Sequence, residues 1–261
     1  MQRAISPIPQ QSTWQQVGEV VTAHLLSRGA RLVLLLLFVI GVLIPIAYMA
    51  TTSVKEPIEI RVSGAFLPSA GVYPDNYARA YRNVPLFHYL MNSTIVAVCS
   101  TLLSLAVAIP VTYSIVRFQT GGRILPAVIL GTYVMPPIVV SVAIFTMMRL
   151  VGLTDNLLGL IIVHAMANLP VAVWLLDGFV RNIPKELEYA AWVDGYSRWS
   201  TLVRVVVPLI RSGIIATGII IVILSWNEFL FALIITYSQA SHTFPIGISQ
   251  YVGEHGLQFG E

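Results

Sequence analysis

The chain has 261 residues, of which 56% are hydrophobic and only 10% are charged, and its mean hydropathy is +0.79. Soluble domains carry about a quarter charged residues, so this much apolar surface needs lipid as its solvent. Disordered tails, disulfide scaffolds and ordinary cytosolic enzymes are thereby excluded. The one cysteine, Cys99, makes no intrachain bridge, and the formal net charge of +3 lies between apolar runs instead of forming a nucleic-acid-binding patch.

A helix crossing about 30 Å of hydrocarbon needs roughly 20 apolar residues, with its backbone groups paired inside the segment. Five stretches meet that demand: Leu32 to Ala50, Thr94 to Val116, Ile124 to Met148, Leu157 to Leu176 and Ile214 to Thr236. The fold class they define is an all-α, polytopic membrane helical bundle. Lys and Arg number three in the N-terminal tail, four in 51–93, two in 117–123, one in 149–156, five in 181–211 and none after 236. Alternate segments sum to ten against five. By the positive-inside rule, with the long 51–93 segment discounted, the tail, the 117–123 turn and the 181–211 loop face the cytoplasm.

Residues 1–31 then form a cytoplasmic N-terminal tail, too polar and too long for a signal peptide's charged region. An interfacial amphipathic helix is expected from Trp14 to Leu26, where Val17, Val20, Val21 and Leu25 share one face. Residues 32–236 form the membrane core, and 237–261 an external C-terminal segment. The outer loop 51–93, with Pro57, Pro68, Gly71 and Pro74 among several tyrosines, reads as an ordered cap with short elements. Asn92-Ser93-Thr94 matches a glycosylation sequon but abuts the second span, so the match is read as chance.

Catalytic signatures are missing from the sequence. It has no Gly-x-x-x-x-Gly-Lys-Ser/Thr cradle for nucleotide phosphates, no Gly-x-Ser-x-Gly elbow, and five histidines without zinc-site spacing. The chain reads as a carrier of movement, not an enzyme, with neither metal nor cofactor of its own.

The segment Arg181 to Arg211 is far longer than a turn between two spans requires. Pro184, Glu186 and Glu188 suit the free N–H groups and positive end of a starting helix. Leu187, Ala190, Ala191 and Asp194 follow at i, i+3, i+4 and i+7, giving a face of mostly small side chains. Gly195 suits the left-handed position that ends a helix, and a second amphipathic stretch through Trp199, Leu202, Val203 and Val206 stops at Pro208. A short helix, a tight corner and another helix at the membrane surface are predicted.

These residues resemble a family. Glu188-Tyr189-Ala190-Ala191-Trp192-Val193-Asp194-Gly195, with Val205-Val206-Val207-Pro208 further on, looks like the "EAA" loop of permease subunits from bacterial ATP-binding-cassette importers. One departure is that Tyr189 stands where the pattern has its own glutamate, while Glu188 matches the acidic residue often found just before it. Asn76-Tyr77, Asn92-Ser93, Tyr113, Arg117-Phe118, Gly122-Arg123 and Ser225-Trp226-Asn227-Glu228-Phe229 extend the resemblance over roughly residues 32–250, toward the maltose-type carbohydrate branch.

The resemblance implies a type I importer permease fold. Its first loop helix is then a coupling helix docked on a separate ATPase subunit, with Ala190, Ala191 and Gly195 for close packing, Glu188 and Asp194 for polar contacts and Pro208 ending the second helix. It also implies two ATPase subunits that bind ATP and Mg, a second, similar permease as heterodimer partner, and an external solute-binding protein. A sixth span is normal for that family. Since Phe244-Pro245-Ile246-Gly247 resembles its external loop before the last span, a truncated record is expected.

Polar residues inside the spans carry two readings each. Glu228 needs a partner, and with Asn227 it either borders a translocation path or joins helices by hydrogen bonds. Trp226 and Phe229 either stack on sugar or pack. His164, Asn168 and Pro170 either line a cavity or mark a satisfied kink, with Asp177 near the cytoplasmic end of that span. Pro136 and Pro137 break the third span, and Ser212, Gly213, Ala216 and Thr217 suit packing on a partner subunit's helix. Two rivals remain. One is an importer branch for amino acids or phosphate. The other is a secondary transporter with Glu228 and His164 as proton relay, which predicts internal repeats that the sequence does not display.

Overall fold

The computed structural model describes residues 28–255 apart from Ala70 and Val84. The expected helix from Trp14 to Leu26 lies outside the described residues. Every regular element among those described is helical, and the chain divides into two compact units that meet at Ala80 and Tyr81.

The first unit opens with α1 (Arg28–Thr52), about 37 Å long at 1.5 Å per residue and therefore long enough to span. Its large side chains from Leu32 to Ile44 are exposed, as a helix designed for an apolar surrounding requires. The chain then turns through α2 (Pro57–Val62) and enters α3 (Asp75–Asn83). The cap expected in this loop is present and is built on buried polar groups. Asn76 donates its amide to the carbonyls of Ser53, at 3.1 Å, and Lys55, at 2.8 Å. Glu59 accepts from the N–H and hydroxyl of Ser69, and Lys55 is buried with its ammonium on the Ala65 carbonyl.

The second unit is organised around α4 (Leu86–Phe118). At 33 residues it runs about 50 Å, well beyond the hydrocarbon thickness and eight residues earlier than the apolar run from Thr94 suggests. The eight extra residues are retained because Tyr89, Asn92 and Ser93 are buried there. Helix α4 packs on α7 (Leu157–Arg181), α10 (Arg211–Trp226) and α12 (Phe244–His255). The approach is close because α4 shows Ala97, Ser100, Thr101, Ser104, Ala108 and Thr112 at helical spacing, all of them buried.

The third expected span is two helices, α5 (Ile124–Val134) and α6 (Pro137–Leu150), bent by 99°. Pro136 and Pro137 remove two N–H donors in succession and force Met135 out of the helical region, so the break expected at that pair is found. Pro170, by contrast, sits in an unbroken α7.

Three expectations need correction. The fifth span is not continuous from Ile214 to Thr236: α10 stops at Trp226, and α11 (Leu230–Ile235) starts after a three-residue gap. The stretch from Phe244 is not loop but α12, fixed to α4 by buried Ile246 and by Gly247 lying against the Tyr89 ring. Of the four small residues expected against a partner, Ser212 and Ala216 are exposed, but Gly213 and Thr217 are buried inside this chain, each four residues from the next of Ile221 and Ser225.

Two apolar clusters hold the bundle. One gathers Leu105, Ala108, Ala172, Leu176, Val206 and Ile221, and the other Val96, Leu160, Val163, Phe231, Ile235 and Ile246. Between them lie the buried polar side chains of Ser100, His164, Asn168 and Ser225.

A Cβ at Gly213 would stand 2.4 Å from the Phe179 ring. Gly213→Leu therefore forces α10 away from α7 and should destabilise the bundle by ~1–3 kcal/mol, read as a lowered midpoint in thermal unfolding of the detergent-solubilised protein.

Candidate functional site

The 181–211 loop has the predicted plan. Helix α8 (Lys185–Val193) ends in a corner where Gly195, at φ +86°, gives its N–H to Trp192 O while Tyr196 N–H reaches Ala191 O. That pair of bonds closes the helix end, and the left-handed backbone is why glycine stands there. After it, α9 (Arg198–Leu209) begins on a cap in which Ser197 Oγ accepts from Ser200 N–H. A π turn over Leu202–Val206 precedes Pro208, and the chain bends by 79° into α10. Pro208 is thus one residue short of the end of its helix.

The loop has two faces. Inward, Glu188, Ala191, Leu202 and Val206 are buried; outward, Ala190, Asp194, Gly195, Val193 and Trp199 are open. Glu188 and Ala191, both expected among the coupling residues, thus stand on the inward face of the loop. Glu188 is 1% exposed, and its Oε1 takes the Arg117 Nε–H at 2.6 Å while Oε2 takes the Tyr113 hydroxyl at 2.9 Å. A carboxylate at the helix start with both oxygens engaged is stable only inside such a nest, which is why it points into the bundle. Tyr189, in the pattern's glutamate position, is exposed and leans on the Trp192 ring at 5.4 Å.

Between the two apolar clusters polar side chains form a line. Ser100 Oγ meets Ser225 Oγ at 2.9 Å, Ser225 Oγ meets His164 Nδ1 at 2.8 Å, and His164 Nε2 lies 3.1 Å from Glu228 Oε2 at ion-pair distance. Glu228 sits in the gap between α10 and α11 and accepts from the N–H groups of Phe231, at 2.9 Å, and Ala232, at 3.2 Å. It is therefore the cap of α11, and the fifth span breaks because this carboxylate satisfies N–H groups that a continuous helix would pair with carbonyls. The partner expected for Glu228 is His164. Asn227 is exposed and returns its amide to Ile223 O at 2.8 Å, Trp226 is half-buried, and Asn168 is buried on α7. A proton relay would need an outlet, whereas this line ends on the backbone of α11.

The opposite end of the bundle carries a clamp that the sequence did not single out. Asp155, in a left-handed conformation between α6 and α7, accepts from the N–H groups of Tyr237 and Ser238, both at 3.0 Å, and from the Ser241 hydroxyl. Burial works to raise its carboxyl, but the bonds from Ser241, Ser238 and Tyr237 outweigh that and hold it down at about 2. Asn92 ties the same segment by donating to Ala240 O and His242 O, both at 2.9 Å, so its amide is engaged and the sequon match has no free acceptor. Burial also lowers the His242 imidazole, against the pull of the Asp155 charge. The signal available in sequence was only Asp155-Asn156 before an apolar run, of which Asn156 proves to be the helix cap. Among the described residues no cluster of His, Cys, Asp or Glu could hold a metal ion.

A helical membrane bundle with a structured loop at one end and broken spans within it is the frame of a transporter subunit. The family model for the inner membrane component of binding-protein-dependent transport systems matches residues 78–254, and the chain belongs to that family. It is similar to a trehalose/maltose transport system permease protein of Thermococcus litoralis, 31% identical over 91% of this chain and 84% of the relative. It is also similar to a sulfoquinovosyl glycerol transport system permease protein of Agrobacterium fabrum, 33% identical over 81% of this chain and 75% of the relative. In fold it matches a chain from the crystal structure of a bacterial ABC transporter involved in import of the polysaccharide alginate, with a TM-score of 0.73, 21% identity, and coverage of 94% of this chain and 83% of that one.

Because the folded Asp155 carboxyl lies below its ordinary value of 3.8, the clamp's stabilisation is complete above about pH 4 and is lost as pH falls through 2. Hydrogen-exchange protection at Tyr237 and Ser238 should hold from neutral pH to about 4 and fall toward 2. In Asp155→Asn that acid-dependent loss should be absent.

Proposed function

We propose that the chain is a permease subunit of a carbohydrate importer, coupled through loop 181–211 to a separate ATP-binding-cassette ATPase, with its N-terminus in the cytoplasm. One observation carries the reading: the loop is anchored on its inner side by buried Glu188 while its outer side offers Val193, 88% exposed, and Trp199, 65% exposed, beside open Ala190, Asp194 and Gly195. Large apolar side chains held rigidly on a surface outside the lipid suit a protein partner. The sugar assignment is supported by the substrates in the names of the two permease relatives, trehalose or maltose and sulfoquinovosyl glycerol.

In this reading two ATPase subunits bind ATP and Mg, and their closure displaces α8. A second permease completes the path, and an external binding protein delivers the sugar to the face that carries the Asp155 clamp. Trp226 and Asn227, at the open side of the gap between α10 and α11, border the path together with Asn168, while His164 and Glu228 hold the gap in shape. No catalytic step falls to this chain.

The test is co-expression with the candidate ATPase, partner permease and binding protein, followed by ATP turnover in proteoliposomes with maltose, trehalose, glutamine or phosphate as solute. Stimulation by a sugar supports the reading. Stimulation only by glutamine or phosphate overturns the carbohydrate assignment, and failure of any ATPase to co-purify overturns the importer assignment. A Cβ at Gly195 meets nothing within 4 Å in this chain, yet the positive φ strains any L side chain by ~1–3 kcal/mol. Gly195→Trp should therefore insert normally but crowd the docking face, lowering uptake by about tenfold or more.

A further inference from the structure

The loop is connected to the bundle by two routes of different stiffness. The covalent route runs through α9 into α10, and it passes a π turn, a proline and the 79° bend at Ile210. Such a sequence of irregular turns absorbs displacement. The other route runs through side chains at the end of α4. There Arg117 is 5% exposed and gives Nε–H to Glu188 Oε1 at 2.6 Å, while its Nη2 donates to Val180 O at 2.9 Å and Ile183 O at 2.8 Å. One guanidinium thus joins α4, α8, the last turn of α7 and the turn that follows it. Its rigid fork fixes direction as well as distance, which an ammonium could not do.

The neighbouring side chains extend the joint. Tyr113, one turn earlier on α4, donates to the second oxygen of Glu188. Phe118 stacks on Trp192 of α8, with centroids 6.4 Å apart and planes inclined at 21°, and the Arg198 guanidinium of α9 lies over the Phe118 ring at 4.5 Å. Tyr113 meets Phe118 edge-on at 5.5 Å. Both loop helices are therefore held by the last turns of one 33-residue helix that also contacts α7, α10 and α12.

We propose that Arg117 is a positioning residue for transport: through Glu188 it transmits displacement of the coupling loop into α4, so that the central helix, rather than the next helix in the chain, is the driven element. This inference rests on the importer reading above and adds to it the path by which movement enters the bundle.

The test uses the complete transporter in lipid nanodiscs, its cysteines including Cys99 replaced by serine, with an environment-sensitive maleimide dye on the thiol introduced by Phe87→Cys, at the exposed far end of α4, outside the apolar run 94–116 and away from the joint. ATP with vanadate should change the dye signal in the unsubstituted complex. In the Arg117→Gln/Glu188→Gln double variant both charges go together, so neither is left buried and unpaired. In that variant the dye response should be lost, read per complex that retains its ATPase. Arg117→Lys, which keeps the charge but puts one nitrogen in place of the separated Nε and Nη2 donors, should give a reduced response, and it carries the test if the double variant does not assemble. A full dye response in either variant overturns the proposal. A residue important only for stability would lower the yield of complex without changing the response of the complexes that form. If the unsubstituted chain recruits no ATPase, the importer reading has failed, and the joint falls with it by a different and visible outcome.

Discussion

In hydrocarbon a backbone N–H or C=O left unpaired costs several kcal/mol, and this constraint explains the placement of several polar side chains in the bundle. Glu228 takes two N–H groups at the start of α11, and Asn227 answers a carbonyl near the end of α10. Arg117 takes the carbonyls where α7 ends, and Asn92 takes two from the segment before α12. At each of these places one side chain fits the irregularity in the main chain. The spans break only where such a match exists or where prolines have already removed the donors.

The same economy shapes the interior. Apolar clusters at two levels fix α4 against α7, and small hydroxyl-bearing residues between them allow the helices to approach while supplying hydrogen bonds. The Ser100–Ser225–His164 line offers bonds that can be exchanged as the helices shift. Such a line suits the proposed importer, in which the bundle adopts two arrangements.

Most of the architecture was legible in the sequence because lipid imposes a length and a composition that few segments meet by accident. The spans, the double-proline break and the helix–corner–helix loop follow from runs of apolar residues, from Pro136-Pro137 and from Gly195. What was not legible depends on direction. Spacing puts Glu188 on a helix with Ala190 and Asp194, but only the packed structure turns it toward Arg117, 71 residues away. Glu228 reads as a charge within a span that needs a partner, but only the packed structure supplies His164 from another helix and turns the carboxylate onto the N–H groups of α11. Asp155 gave no pattern because its three donors come from over 80 residues downstream.

The Arg117 guanidinium serves two unrelated clients, the carboxylate of the loop and the frayed carbonyl end of α7. Losing it strands both, while losing Glu188 alone leaves a cation in a pocket shaped for an ion pair. Inheritance must therefore treat the two positions as one character. A lineage drifting away from this chemistry would have to exchange both residues in a single step or pass through a weakened intermediate, so the pair should act as a ratchet that keeps the loop's attachment point fixed even as its outer face is remodelled for a different engine.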